Sequence, residues 1–159
     1  MKAVQFAQTA RVVEVKTHDQ LLQALLSEQV PVKMACGGRG LCATCHVYIE
    51  HGNDALTPRT KREVRTLDLI GSSCGSSRLA CQAKVVNDGV IVKLPEGLYV
   101  ERTADLESLI GRRTEQRLLH PVNGQELLAP GKIMTRSVLR QLQHVEVDVQ
   151  KVLNDSRTA

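Results

Sequence analysis

Three cysteines crowd into ten residues of this 159-residue chain, at Cys36, Cys42 and Cys45, and two more, Cys74 and Cys81, lie well downstream. Five residues separate the first two and two separate the next. Cys81 follows Cys45 after 35 intervening residues. A fold that uses these thiols together must return a distant segment onto the loop. The N-terminus, Met1 to Ala10, shows no basic region followed by an apolar one, so no secretory leader is visible. An odd cysteine count without a leader argues against a disulfide framework and for metal or redox chemistry. Three thiolates on one loop with a distant fourth is the arrangement that holds a [2Fe–2S] cluster.

The loop chemistry agrees. Cys36-Gly37-Gly38-Arg39-Gly40-Leu41-Cys42-Ala43-Thr44-Cys45 carries three glycines. Glycine reaches φ > 0 and permits close approach, so backbone N–H groups can point at sulfur and offset its charge. Ala43 and Thr44 are small enough for the chain to turn between two ligands, and Leu41 is placed to shield the site from water. A four-cysteine zinc site pairs its ligands as two short-spaced knuckles, and Cys81 has no such partner. A thioredoxin-like reading of Cys42-Ala43-Thr44-Cys45 lacks the helix N-terminus that lowers a thiol pKa. A Rieske centre needs two histidines on one iron; His46 is expected to be a hydrogen-bonding neighbour instead. His18, His51, His120 and His144 are scattered.

With Arg78-Leu79-Ala80-Cys81-Gln82 added, the chain resembles the [2Fe–2S] ferredoxins of the β-grasp fold. The five-residue gap is similar to the adrenodoxin-like and bacterial hydroxylating type; the plant type has four. His46 directly after the third cysteine and Leu67-Asp68-Leu69 ahead of the serine-rich loop match the same pattern. The resemblance covers Ala3 to Leu98, about 60% of the chain. It implies an α+β, β-grasp domain over residues 1–98 and a one-electron carrier. The implied ligands are Cys36, Cys42, Cys45 and Cys81, surrounded by Gly37, Gly38, Arg39, Gly40, Leu41, Ala43, Thr44 and His46. The choice of Cys81 over Cys74 rests on this resemblance and leaves Cys74 a free thiol in the Gly71–Ser77 loop.

Periodicity supplies the expected elements. Ala3–Phe6 and Arg11–Lys16 read as strands. A helix should follow, with His18-Asp19 as its N-cap and Leu21, Leu22, Leu25 and Leu26 on its apolar face; Pro31 stops it and Val32–Met34 leads into the loop. His46–Glu50 alternates as a strand that Gly52-Asn53 ends. Thr60–Leu69 reads as a helix with Val64, Leu67 and Leu69 as its apolar side. Lys84–Val86 and Val90–Leu94 read as a hairpin about Asn87-Asp88-Gly89.

The charge bears on partners. The chain carries +4, of which +3 lies before Tyr99. That surplus is mild and aromatics are only 2%, which removes the stacking platforms of a single-strand binder; no nucleic acid is expected. No apolar run approaches the ~18 residues of a membrane span. An oxidised cluster with its thiolates adds about −2, leaving about +2. Ferredoxins of the resembled type are generally acidic, so this chain departs from them. Arg59, Lys61, Arg62 and Arg65 sit where an acidic docking helix is expected, and Arg39 and Arg78 add to them. They form a candidate surface for partners with acidic docking faces.

Residues 99–159 hold no cysteine but enough apolar side chains to fold: Leu118, Leu119, Val122, Leu127, Leu128, Ile133, Met134, Val138, Leu139 and Leu142. About 60 residues make a marginal independent domain. This small α/β extension is therefore expected to pack on the first domain, to set partner specificity, or to mediate a homo-oligomer. Its expected elements are a helix at Asp105–Ile110, a hairpin around Asn123-Gly124 and a helix from Ser137 to about Leu142. His144–Leu153 fits strand or helix equally, and Asn154–Ala159 reads as a tail. The resulting expectation is a non-enzymatic carrier between a reductase and an acceptor redox enzyme, in the cytoplasm, or in an organelle stroma or matrix after loss of a transit peptide. The alternative is a redox- or iron-responsive regulator whose cluster state controls the extension.

Overall fold

Segments far apart in the first half of the chain pair into one sheet. The structure, a computed structural model, describes residues 1–30, 36–71, 73–100 and 103–158. Strands β1 (Lys2–Phe6), β2 (Val12–Val15), β3 (His46–His51), β4 (Ser77–Leu79) and β5 (Val90–Lys93) form one sheet in the order β2-β1-β5-β3-β4. β1 runs parallel to β5, and the other neighbours are antiparallel. Helix α1 (Leu21–Ser27) buries Leu21, Leu22, Ala24 and Leu25 against this sheet. Burying a leucine contributes about 1.5–3 kcal/mol, so this face alone accounts for the helix, which has no side-chain N-cap bond. The architecture is the expected α+β one. The stop at Pro31 and the segment Val32–Met34 lie outside the described residues, as does Ser72 of the Gly71–Ser77 loop.

Three expectations change here. Val90–Lys93 does not form a hairpin with Lys84–Val86. Its two edges are taken by β1 and β3, so Lys84 bridges Gln20 and Val85 bridges Leu56 instead. The first helix begins after Gln20, not at a His18-Asp19 cap, because His18 N–H donates to Val85 O (2.7 Å) and Asp19 O accepts from Val85 N–H (2.9 Å). Both bonds tie residues 18 and 19 to Val85, with His18 in a turn at φ +73°.

The third change concerns helix α2 (Lys61–Leu69), which Thr60 caps by accepting from Glu63 N–H. Its buried face is Glu63, Thr66 and Leu67, while Val64 and Leu69 are 42% and 67% exposed. Glu63 is fully buried and pairs with buried Arg78 of β4, Nε to Oε1 at 2.8 Å. The same Oε1 accepts Leu79 N–H at 2.9 Å. Arg78 also donates to Asn53 Oδ1 and Thr57 O. Arg78 is thus a clamp between α2 and β4, and not a part of the basic surface.

The second half has its own sheet and its own core. β6 (Leu98–Tyr99) runs parallel to β7 (Leu118–Leu119), which pairs antiparallel with β8 (Glu126–Leu128); the hairpin at Asn123-Gly124 is present. A 3₁₀ helix spans Thr103–Leu109 and α3 spans Arg136–Gln141. The ambiguous segment is helix α4 (His144–Thr158), which continues through the expected tail. Val100, Leu106, Leu118, Met134, Leu142 and Val145 form the second core. Among the described residues no helix is long and apolar enough to cross a membrane.

Removing one partner of a buried ion pair strands the other charge, at about 3–5 kcal/mol. Glu63→Gln should therefore lower the stability of the folded protein by roughly that amount, read from denaturant unfolding, whereas Lys61→Gln on the exposed face should change it by less than about 0.5 kcal/mol.

Candidate metal centre

Strand register puts two cysteines side by side. His46 of β3 pairs with Leu79 of β4, and Ala80 N–H donates to Cys45 O at 3.0 Å. Cys45 just before β3 and Cys81 just after β4 therefore face each other, with sulfurs 3.3 Å apart. The glycine loop brings Cys36 and Cys42 to 3.2 Å. All four thiols are free and nearly fully buried. At these separations each pair lies well beyond disulfide bonding distance. Cys74 is also free, but exposed and in a different loop.

The loop is shaped from both sides. Gly40 has φ +74°, and a Cβ there would lie 2.8 Å from the Gln82 side chain. Thr66 Oγ1 of α2 donates to Gly40 O at 2.5 Å, and Arg62 Nη1 to Arg39 O at 3.3 Å. So pinned, the backbone N–H groups of Gly38, Arg39 and Leu41 hydrogen-bond to the Cys36 sulfur. Gly40 N–H and the Gln82 amide (3.6 Å) serve Cys81, and the Thr44 hydroxyl (3.0 Å) serves Cys42. Gly37 is exposed and Leu41 half-buried.

Each pair shares a proton. The Cys42 thiol donates to Cys36 and holds its pKa down at about 5, while that bond and burial push Cys42 far up. Cys81 is likewise lowered by its bond from Cys45, which is itself raised well above the ordinary thiol range. A cation that takes both sulfurs of a pair must displace the shared proton. Four soft sulfur donors in two pairs, lined by N–H groups, fit two iron ions with two thiolates each.

The buried His46 ring bonds Ser77 Oγ through Nε2 at 2.8 Å and meets Tyr48 edge-on at 4.8 Å. Among the described residues its Nδ1 has no hydrogen-bond partner. Burial lowers its pKa to about 4, so the ring is neutral near pH 7. Of the basic residues, Arg59 spends its guanidinium on Gly75 O (2.7 Å) and Ser77 O (2.8 Å), which holds the loop before β4. Lys61, Arg62 and Arg65 are exposed on α2, and Arg39 is exposed on the loop.

The extension reaches the site, which sequence reasoning missed. Ala43 N–H donates to Pro121 O at 2.7 Å. Val122 of the β7–β8 turn and Val149, Val152 and Leu153 of α4 line a crevice with Cys36 and Cys42 that is too narrow to admit a water molecule. The available signal was the helical spacing of Val145, Val149 and Val152. Beside it, His120, His144 and Asp148 bring ligating atoms within 4.8 Å of one another. His120 Nδ1 accepts Val122 N–H (3.1 Å), so Nε2 carries the proton and donates it to Asp148 Oδ2 (2.8 Å). A metal would need that same nitrogen unprotonated. The group is a latch between the turn and α4.

Residues 4–86 match the family model of the 2Fe-2S iron-sulfur cluster binding domain; the match ends before the extension begins. A 2Fe-2S ferredoxin of Haemophilus influenzae is 34% identical over 91 residues, covering 57% of this chain and 80% of its own. An ISC-like [2Fe-2S] ferredoxin from Pseudomonas putida superposes with a TM-score of 0.55 at 29% identity, over 60% of this chain and 93% of that one. Putidaredoxin in its covalent complex with putidaredoxin reductase gives 0.51 at 29% identity, over 59% and 98%.

Exposure separates the five thiols chemically. Cys74 is solvent-exposed, and hydrogen bonds from Ser76 and Ser77 lower its pKa. A thiolate-selective alkylating agent should label one cysteine of the native protein, at Cys74, and all five only after unfolding. Mass spectrometry of the labelled chain would read the site, and Cys74→Ser should leave the native protein unlabelled.

Proposed function

This chain belongs to the [2Fe–2S] ferredoxins of the adrenodoxin and putidaredoxin type, and from that membership we propose that it carries single electrons from a reductase to an acceptor redox enzyme. The partner enzyme, not this chain, transforms the substrate. We assign residues 1–98 to the cluster-binding domain, residues 99–159 to an extension, and the protein to the cytoplasm, where thiols stay reduced.

One observation carries the reading: four buried, free thiols converge in two pairs on a loop lined with N–H donors. On it, Cys36 and Cys42 hold one iron and Cys45 and Cys81 the other. When bound, the cluster takes up and returns one electron. The chain's own part is electrostatic. Donors from Gly38, Arg39, Leu41, Gly40, Thr44 and Gln82 are already aimed at sulfur, so added negative charge meets dipoles that need little rearrangement. Helix α2 holds the loop through Thr66 and Arg62 and turns Lys61 and Arg65 to solvent. This basic face, with Arg39 beside it, favours a partner with an acidic docking surface. The putidaredoxin–reductase complex supports a reductase as one partner.

Two outcomes follow. Cys81→Ser should abolish the visible absorption of the cluster, while Cys74→Ser should leave it intact. The opposite result would reassign the fourth ligand. Lys61→Glu with Arg65→Glu should slow association with the reductase at low salt by about tenfold or more, an effect that shrinks as salt rises. A rate indifferent to both substitutions and salt would remove α2 from the docking surface.

A further inference from the structure

The seat of the extension on the cysteine loop has a consequence for the metal centre. Pro121, Val122 and three side chains of α4 cover the Cys36–Cys42 edge, with no room for water between. Helix α4 is fastened along its first half. Val145 is fully buried in the second core. Glu146 Oε1 accepts Thr103 N–H (2.7 Å) and Oγ1–H (3.0 Å), and Asp148 accepts from His120. The next turns carry Val149, Val152 and Leu153 over the two sulfurs, while Val147 on the other side is 68% exposed. The fasteners thus hold α4 with its apolar face against the thiols.

We propose that Val122, Val149, Val152 and Leu153 form an apolar lid that keeps water off Cys36 and Cys42, retains the iron bound there and lowers the reduction potential of the centre. The inference rests on the four-thiolate assignment. With its ligands the oxidised cluster carries about −2, and one electron from the reductase takes it to about −3. Apolar cover supplies neither dipole nor water to that added charge, so it disfavours the reduced state. Linkage makes the effect reciprocal: a lid that opposes reduction is itself loosened by reduction.

The experiment compares the iron-loaded wild type with Val149→Ser/Val152→Ser and with Val147→Ser, an exposed control on the same helix. Loss of visible absorbance to a chelator should be about tenfold faster in the double variant, the factor expected for losing roughly one buried valine of apolar contact. Its midpoint potential should rise, by about 59 mV for a tenfold change in relative stability of the two oxidation states. Val147→Ser should match the wild type in both. Unchanged bleaching and midpoint in the double variant would overturn the lid, as would an equal change in Val147→Ser. Hydrogen exchange on the wild type provides a test that needs no variant. Amides of residues 149–153 should exchange faster in the reduced than in the oxidised protein, and equal exchange would overturn the coupling. A wild-type protein that retains no iron would instead defeat the ligand assignment, a result visible before any variant is made.

Discussion

The close burial of four thiols in two hydrogen-bonded pairs is the constraint around which the first half of the chain is arranged. Within each pair the hydrogen bond to the neighbouring sulfur, together with burial, pushes the Cys42 and Cys45 thiols up, so the second proton is hard to remove. Bringing such groups together is tolerable only if positive charge arrives with the metal and dipoles are already aimed at the sulfurs. The glycine loop supplies those dipoles. Its backbone takes positive φ at Gly37, Gly38 and Gly40, which glycine reaches without strain, and α2 pins the loop from outside through Thr66 and Arg62.

That outside hold depends on a buried ion pair. Glu63 grips both the Arg78 guanidinium and the Leu79 N–H, which ties α2 to β4. The same helix reaches forward through Thr66 to the loop carbonyl of Gly40. One short helix therefore connects the segment before Cys81 with the segment between Cys36 and Cys42. The strands do the rest, since the pairing of His46 with Leu79 brings Cys45 beside Cys81. Charged residues that read as surface in a linear sequence serve here as struts, and the basic face narrows to Arg39, Lys61, Arg62 and Arg65.

The extension joins the same system. It has its own sheet and apolar core, yet its Pro121 carbonyl accepts Ala43 N–H of the cysteine loop and its valines lie over two of the thiols. The latch of His120 and Asp148 keeps the β7–β8 turn and α4 in one piece, so loop, turn and helix meet at a single edge. A partner that approaches the metal centre therefore finds apolar cover at the Cys36–Cys42 edge and cationic side chains along α2.

Much of this was legible in one dimension. Cysteine spacing, the glycines between the cysteines and the alternation of β3 are local properties, and local geometry preserves them in the fold. That is why the α+β class, the cluster type and the cysteine-rich loop could be read from sequence. The strand reading of Lys84–Val86 failed because alternation shows that a segment can pair, not with which edge; β5 already had neighbours on both sides. Glu63 and Arg78 could not be told from solvated charges because their burial depends on one another, fifteen residues apart. The choice between strand and helix for His144–Leu153 was open for the same reason. Val145, Val147 and Val149 alternate, but only the second core and the cysteine loop decide that Val145 and Val149 turn inward while Val147 faces water. The sequence by itself determined the chemistry of the cysteine loop, because chemistry follows residue type and spacing. Tertiary structure alone decided what surrounds that loop, because burial and charge pairing are properties of the neighbours that folding brings.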